Sequence, residues 1–118
     1  MSELIVGVVG PCAAGKTSLI LALRQRGISA KHIAQEHSYV PDMWKRLTNP
    51  DVLIYLDVSY PLTLKRRNLS WSEEEYKEQL SRLEHAKVNA SLYINTDNLT
   101  IDEVLDKALN FLFKTSQL

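Results

Sequence analysis

The segment from Gly10 to Thr17 carries the clearest chemistry in the chain. It reads GPCAAGKT and matches the pattern GxxxxGK(S/T). Glycines and small residues let main-chain N–H groups turn towards phosphate oxygens, Lys16 adds a full positive charge, and the Thr17 hydroxyl is a ligand for Mg²⁺. We therefore expect this loop to bind the phosphates of a nucleotide, namely ATP with Mg²⁺. The residues expected to contact the nucleotide are Gly10, Pro11, Cys12, Ala13, Ala14, Gly15, Lys16, Thr17 and Ser18.

Cys12 is the one cysteine of the chain and lies inside this loop. The preferred interpretation is a small residue tolerated at a variable position of the motif. A redox switch is the alternative, because the start of a helix lowers the pKa of a nearby thiol. The chain has no second thiol with which Cys12 would form a disulfide, so the first interpretation is favoured.

The elements that must position this loop alternate between apolar runs and segments of helical period. This alternation is typical of a parallel sheet covered by helices. Leu4 to Val9 predicts a strand buried on both faces, and Lys16 to Arg26 predicts a helix ended by Gly27. Ile28 to Ala34 and Val52 to Val58 predict the second and third strands. The loop therefore lies where the motif requires it, after a buried strand and at the start of a helix.

Further helices and one more strand complete the predicted pattern. They are a helical turn at Asp42 to Leu47, a helix from Pro61 to about Asn68, a strand at Leu92 to Asn95, and two helices started by the capping boxes Ser72 with Glu75 and Thr100 with Glu103. We expect an α/β fold with four parallel strands in the order 2-1-3-4. The nucleotide is expected at the carboxyl ends of the strands.

The composition bounds the class of protein. A chain of 118 residues has the length of one compact domain, so we expect residues 1–118 to form a single nucleotide-binding domain. Its 14 basic and 14 acidic residues balance, so neither nucleic acid nor a membrane is an expected partner. The lone cysteine and the absence of a membrane-spanning stretch or signal peptide predict a cytoplasmic setting.

The chain resembles the nucleoside and nucleotide kinase-like group of P-loop proteins, thymidylate kinase most nearly, although it is shorter. The resemblance is carried by the Gly10 to Thr17 loop, the run PDVLIYLDV from Pro50 to Val58, and the basic segment TLKRR from Thr63 to Arg67. LYINTD from Leu92 to Asp97, before a capped helix, is similar to the closing strand and helix of small-molecule kinases such as adenylylsulfate kinase. The NKxD motif of guanine-specific switches is not found in the two segments that come nearest to it, TNPD (48–51) and NTDN (95–98). The resemblance implies a three-layer P-loop NTPase fold.

The resemblance also implies a basic lid that closes over ATP. In such kinases, arginines of the lid stabilise charge on the transferring phosphoryl group. Arg66 and Arg67 match that location and are candidate catalytic residues together with Lys16. A solvated basic face of a helix is the alternative, since this is the commoner situation of adjacent arginines.

An acid at the end of a strand beside the phosphate loop is the next feature that the resemblance implies. Such a carboxylate accepts a hydroxyl proton or holds the metal through water. Glu36, in the segment QEHS after the second predicted strand, is the candidate base, and a polar loop is the alternative. Asp57, at the end of the third strand, is the rival acid. It is a candidate metal ligand beside Thr17, with a structural role as the alternative.

The acceptor side departs from the family pattern. The family normally has an acceptor-binding segment and another strand where this chain has only a short connection. His37 to Trp44 is expected to border an acceptor pocket, and a second subunit in a homodimer is a further way to complete it. The leading hypothesis is an ATP-dependent phosphotransferase that acts on a hydroxyl or phosphate group of a small molecule or nucleotide. A regulatory nucleotide-binding module that hydrolyses slowly or not at all, and a plain ATPase, are the alternatives.

Overall fold

Four strands form a parallel sheet in the computed structural model, which describes residues 4–67 and 70–116. They are β1 (Ile5–Val9), β2 (Ser29–His32), β3 (Val52–Asp57) and β4 (Leu92–Asn95). Their order in the sheet is β2-β1-β3-β4, which confirms the predicted order. Because neighbouring strands run in the same direction, their carboxyl ends all lie at one end of the sheet.

The second strand is shorter than the predicted range Ile28 to Ala34. It pairs with β1 only from Ser29 to His32. The chain then enters a 3₁₀ turn, Gln35–His37, before it reaches the next helix. Contacts with residues distant in the sequence hold this turn, and a local pattern of polarity contains no information about them.

Helices within the described residues follow the predicted pattern closely. They are α1 (Lys16–Gln25), α2 (Met43–Leu47), α3 (Tyr60–Arg67), α4 (Glu73–Val88) and α5 (Ile101–Ser116). The helix predicted from Pro61 begins one residue earlier, and its predicted end at Asn68 lies outside the described residues. In the ranges 4–67 and 70–116, no helix has both the length and the apolar character needed to cross a bilayer.

The apolar core lies on both faces of the sheet. On one face, β1 packs Val6 and Val8 among side chains of α1 and α5, including Leu23. On the other face, Val9 of β1 packs with Leu83 of α4 and with the Trp44 side chain of α2. Side chains alternate between the two faces of a strand, so β1 contributes to both clusters. The result is a three-layer arrangement of helices, sheet and helices.

Both predicted capping boxes are present. The Ser72 hydroxyl accepts a hydrogen bond from the amide of Glu75, whose carboxylate accepts one from the amide of Ser72. Thr100 and Glu103 make the same reciprocal pair at the start of α5. Each box satisfies donors that a helix start leaves unpaired, which is why the helices begin at these residues.

Candidate functional site

The candidate phosphate loop, Gly10 to Thr17, leaves the end of β1 and turns sharply into α1. A Cβ atom added at Gly10 would collide with the carbonyl oxygen of Leu56, and the φ angle of Gly10 is 154°. Ala13 and Gly15 have φ angles of 70° and 97°, in the left-handed region. Alternation between right-handed and left-handed backbone turns successive N–H groups towards a common concave side. The loop therefore has the local geometry of an anion-binding turn.

Several main-chain amides of the loop donate no hydrogen bond to any part of the chain that the structure describes. No described residue accepts a hydrogen bond from the amides of Ala13, Gly15, Lys16, Thr17 or Ser18. The last three are the first N–H groups of α1, where the helix dipole adds partial positive charge. These donors and the dipole together favour a bound anion at this point.

Lys16 is buried and folds back across the loop. Its Nζ atom donates hydrogen bonds to the carbonyl oxygens of Gly10 and Pro11, the latter at 3.3 Å. It also lies 2.7 Å from Oε2 of Glu36, with only 8% of the Lys16 side chain and 4% of the Glu36 side chain exposed. The structure thus brings together two residues that sequence reasoning named separately, as phosphate ligand and as candidate base.

Glu36 is held beside the loop by the 3₁₀ turn that follows β2. The neighbouring side chain of Gln35 fixes this turn, because its Nε2 donates to the carbonyl oxygens of Val40 and Arg82 at 2.9 and 3.2 Å. Its Oε1 accepts a 2.8 Å hydrogen bond from the amide of Trp44. The turn is therefore tied to both α2 and α4.

One oxygen of the Glu36 carboxylate accepts no hydrogen bond from the described residues. Oε2 pairs with Lys16, but Oε1 is buried and none of the described residues donates to it. An unsatisfied buried acceptor costs about 1–3 kcal/mol, so its retention calls for a reason. A functional site is where such an unsatisfied group is expected.

The two candidate lid arginines are placed differently. Arg66 is tied to the protein: its Nη1 donates to Oγ1 of Thr96 at 2.9 Å and to the carbonyl oxygen of Ala13 at 3.3 Å, and its Nη2 donates to the carbonyl oxygen of Thr96. Arg67 also lines the cavity, but no described residue accepts a hydrogen bond from its side chain. Arg66 therefore braces the loop against Thr96, the residue that follows β4, whereas the Arg67 guanidinium donates no hydrogen bond to the described residues.

Asp57 does not come to the cavity. Its Oδ1 accepts from the amide of Val58 at 2.9 Å, and its Oδ2 accepts from the hydroxyl of Tyr93 at 2.6 Å. Thr17 lines the cavity, whereas Asp57 is not among the described residues that do. The proposed metal role of Asp57 stays a prediction without geometric support, and the hydrogen bonds of its carboxylate fit the structural alternative.

A cavity of about 720 Å³ opens at the carboxyl ends of the strands. The candidate phosphate loop lines the middle of this cavity, because it follows β1, which is a central strand of the sheet. From the β2 side it is lined by His32, Glu36 and His37, and from the α3 and β4 side by Arg66, Arg67 and Thr96. Burial and the Lys16 ammonium lower the pKa of His32, which favours the neutral imidazole. The cavity thus has a cationic side and an opposite side with a carboxylate and imidazoles.

One group of described side chains has the spacing of metal ligands. Cys12, Glu36 and His37 offer ligand atoms within 4.8 Å of one another. A thiol, a carboxylate and an imidazole suit Zn²⁺ better than Mg²⁺, which prefers oxygen. However, the Cys12 sulfur accepts a hydrogen bond from Gln79 and Glu36 is paired with Lys16, so two of the three are already engaged.

Gln79 is a residue of the site that sequence reasoning missed. It lies on α4, is 6% exposed, and its Oε1 accepts a 3.0 Å hydrogen bond from the amide of Cys12. A signal was present, because Gln79 shares the helical spacing of the buried residues Leu83 and Ala86. A polar side chain on the apolar face of a helix indicates a specific buried partner.

No protein-family model matches the chain, and no curated protein matches it either. Its function is therefore inferred from the geometry of its own residues. The main features are the Lys16–Glu36 pair, the loop amides that no described residue accepts from, and the cavity that the loop lines.

Proposed function

We propose that this chain is an ATP-dependent phosphotransferase of the P-loop kinase type, which moves the γ-phosphoryl group of ATP to a small-molecule or nucleotide acceptor. The observation that carries the proposal is the 2.7 Å pair of Lys16 Nζ and Glu36 Oε2 in the cavity lined by the candidate phosphate loop. A cation that binds phosphate and a carboxylate that accepts a proton are the two groups such a transfer needs in one place.

Each group has a defined role in the proposed reaction. The loop amides and Lys16 bind the triphosphate and offset its charge. Thr17 would hold a Mg²⁺ ion, which would supply further positive charge for the phosphates. The acceptor oxygen attacks the γ-phosphorus, the bond to the β,γ-bridging oxygen breaks, and its electron pair leaves with ADP. Glu36 takes the proton of the attacking hydroxyl group. Arg66 and Arg67 stabilise the charge that builds up on the transferring group.

Lys16 must change partners when ATP binds. Its ammonium donates to two carbonyl oxygens of its own loop and to Glu36. Phosphate oxygens are charged acceptors and compete well with carbonyl oxygens for an ammonium group. We expect Lys16 to move to the β- and γ-phosphates, which leaves the Glu36 carboxylate free for an acceptor.

Binding is tested by titrating Mg·ATP into the protein in a calorimeter. Lys16→Ala should abolish binding while the far-UV circular dichroism spectrum stays that of the parent. Lys45→Ala, which removes an exposed lysine of α2, is the matched control and should bind normally. Unchanged ATP affinity in folded Lys16→Ala would refute the assignment of the loop.

A regulatory nucleotide-binding module is the second candidate. The observation that favours it is the short connection between β2 and β3, which holds only the 3₁₀ turn and α2. A panel of nucleosides, nucleotides and small hydroxyl compounds separates the candidates. Acceptor-stimulated ADP release supports the kinase. ATP binding without any ADP release supports the module, and acceptor-independent ADP release supports an ATPase.

We propose the cytoplasm, where thiols stay reduced, as the setting. A homodimer that completes the acceptor side is tested by sedimentation.

A further inference from the structure

The unsatisfied oxygen of Glu36 specifies what a neighbouring ligand must offer. Oε1 is buried and no described residue donates to it, although Glu36 lines the cavity. A carboxylate oxygen accepts hydrogen bonds and donates none. A ligand that satisfies it must therefore present an O–H or N–H group, as an alcohol or amine does. A fully ionised phosphate group has only acceptors and would leave Oε1 unsatisfied.

The charges around Glu36 also disfavour an anionic acceptor. The β2 side of the cavity is lined by His32, His37 and the Glu36 carboxylate itself. The cation beside Glu36 is Lys16, which the proposed function assigns to the phosphates of ATP. Arg66 and Arg67 approach from the opposite side, from α3, and Arg66 is tied to Thr96.

Arg82 is a further guanidinium near this turn, and its recorded contacts are with protein groups. Its Nη1 donates to the main-chain oxygen of Glu36 at 3.4 Å, and its Cζ lies 4.5 Å from the ring centroid of Tyr39. Its Nη2 lies 4.0 Å from the Glu78 carboxylate. Arg82 is not among the described residues that line the cavity. Apart from Lys16, the described residues that line the β2 side include no lysine or arginine to hold a second phosphate group. The groups there that can carry a positive charge are imidazoles, and His37 Nε2 lies 3.9 Å from Glu36 Oε2.

We infer that the phosphoryl acceptor is an alcohol without a phosphate group of its own, and that Oε1 of Glu36 receives the proton of its hydroxyl group. This inference rests on the proposed function and narrows its acceptor class. A phosphate monoester would bring two negative charges next to the Glu36 carboxylate in a poorly solvated site, where like charges repel strongly. An alcohol donates its O–H to Oε1, attacks the γ-phosphorus as that proton moves to Glu36, and leaves as a phosphate monoester beside ADP.

The experiment compares alcohols with their own phosphate esters. Suitable pairs are thymidine and thymidine monophosphate, adenosine and adenosine monophosphate, glycerol and glycerol 3-phosphate, glucose and glucose 6-phosphate, and choline and phosphocholine. Each is added to the full chain with Mg·ATP, ADP release is measured, and ³¹P NMR identifies the product. We expect stimulation by the unphosphorylated member of a pair, with a new monoester signal and no new P–O–P signal.

Glu36→Gln checks the role of the carboxylate with the acceptor that is found. Turnover should fall by about 10²- to 10⁴-fold, the usual effect of losing a general base. Mg·ATP should still bind, because the phosphate ligands are intact. Glu84→Gln, which removes an exposed carboxylate of α4, is the control and should keep full turnover.

The outcomes separate this inference from the proposed function. Preferential turnover of a phosphorylated member, or a product with a new P–O–P bond, overturns the inference and leaves the kinase in place. Full turnover in Glu36→Gln also overturns it. If Mg·ATP binds and no member of any pair stimulates ADP release, the kinase proposal fails and the inference fails with it.

Discussion

Gln79 of α4 holds the candidate phosphate loop through the backbone of Cys12. Its Oε1 accepts a 3.0 Å hydrogen bond from the Cys12 amide, and its Nε2 donates to the Cys12 sulfur at 3.2 Å. About one helical turn further along α4, Arg82 contacts the 3₁₀ turn through Glu36 and Gln35. One helix thus contacts both segments that meet in the Lys16–Glu36 pair, and its position sets the distance between them.

Replacing Gln79 should loosen this attachment. Gln79→Ala leaves the Cys12 amide without its acceptor, and we expect the free energy of unfolding to fall by about 1–3 kcal/mol. Mg·ATP affinity should fall as well, because the loop loses a fixed point. Urea unfolding and calorimetric titration measure the two effects. Gln25→Ala, at the exposed end of α1, is the control; an equal effect in both variants would count against the attachment.

The two arginines of α3 should separate stability from turnover. Arg66→Ala removes hydrogen bonds to Thr96 and Ala13, so the free energy of unfolding should fall by about 1–3 kcal/mol. Arg67→Ala removes a side chain that donates no hydrogen bond to the described residues. The free energy of unfolding should therefore change by less than about 0.5 kcal/mol. Phosphoryl transfer should slow in both. Equal loss of stability in the two variants would show that Arg66 does not brace the loop.

Gly10 should tolerate no side chain. Gly10→Ala places a Cβ against the carbonyl oxygen of Leu56, and backbone must move to relieve the collision. We expect unfolding free energy to fall by about 3 kcal/mol or more, combining overpacking with an unfavourable φ. Gly27→Ala is the control, because Gly27 also has a positive φ of 78° but no atom near the added Cβ. That variant should lose only about 1–2 kcal/mol.

Stability should decline at alkaline pH partly through Tyr93. Burial and the hydrogen bond to Asp57 raise the pKa of Tyr93 to about 12, from the usual value of 10.0. The folded state holds this proton more tightly than the unfolded state. The contribution of Tyr93 to the free energy of unfolding is therefore complete below pH 10 and is lost as the pH rises from 10 to 12.

Urea unfolding between pH 8 and about pH 11 measures this decline. Tyr93→Phe should show a shallower decline than the parent above pH 10, since the titrating hydroxyl is gone. Tyr39→Phe, at a residue that is 84% exposed to solvent, serves as the control. The assignment is wrong if the slope of Tyr93→Phe equals that of the parent. Tyr76 contributes to the remaining slope, because burial raises its pKa to about 12 as well.

The sequence predicted the secondary structure well where the signals are local. The capping boxes at Ser72 and Thr100 are hydrogen bonds within one turn, so their residue types suffice to locate two helix starts. β1 and β3 are apolar runs, whereas β2 has mixed polarity and alone departs clearly from its predicted range. It ends early because Gln35 bonds to Arg82 and Trp44, which come 47 and 9 residues later in the chain.

The residue types of the candidate site were predicted better than the contacts between them, because those contacts join residues distant in the sequence. Lys16 and Glu36 were both named, but nothing in their spacing requires a contact between them. Parallel pairing of β2 with β1 carries the chain after His32 to the same end of the sheet as the loop, and this creates the contact. Asp57 also ends a strand beside the loop, yet its carboxylate faces Tyr93 and the amide of Val58. The orientation of one side chain thus separates two acids with similar positions in the sequence.

By itself, the sequence determined the order of helices and strands and the backbone chemistry of the Gly10 to Thr17 loop, because periodicity, capping and glycine placement act over a few residues. Only the tertiary structure decided that Gln79 holds the loop, that Arg66 braces it and that one Glu36 carboxylate oxygen is buried where no described residue donates to it. Each of these depends on side chains brought together across the sheet by the packing of α3 and α4. Residue type shows what a side chain is able to bond, and only the fold determines which partners lie within reach.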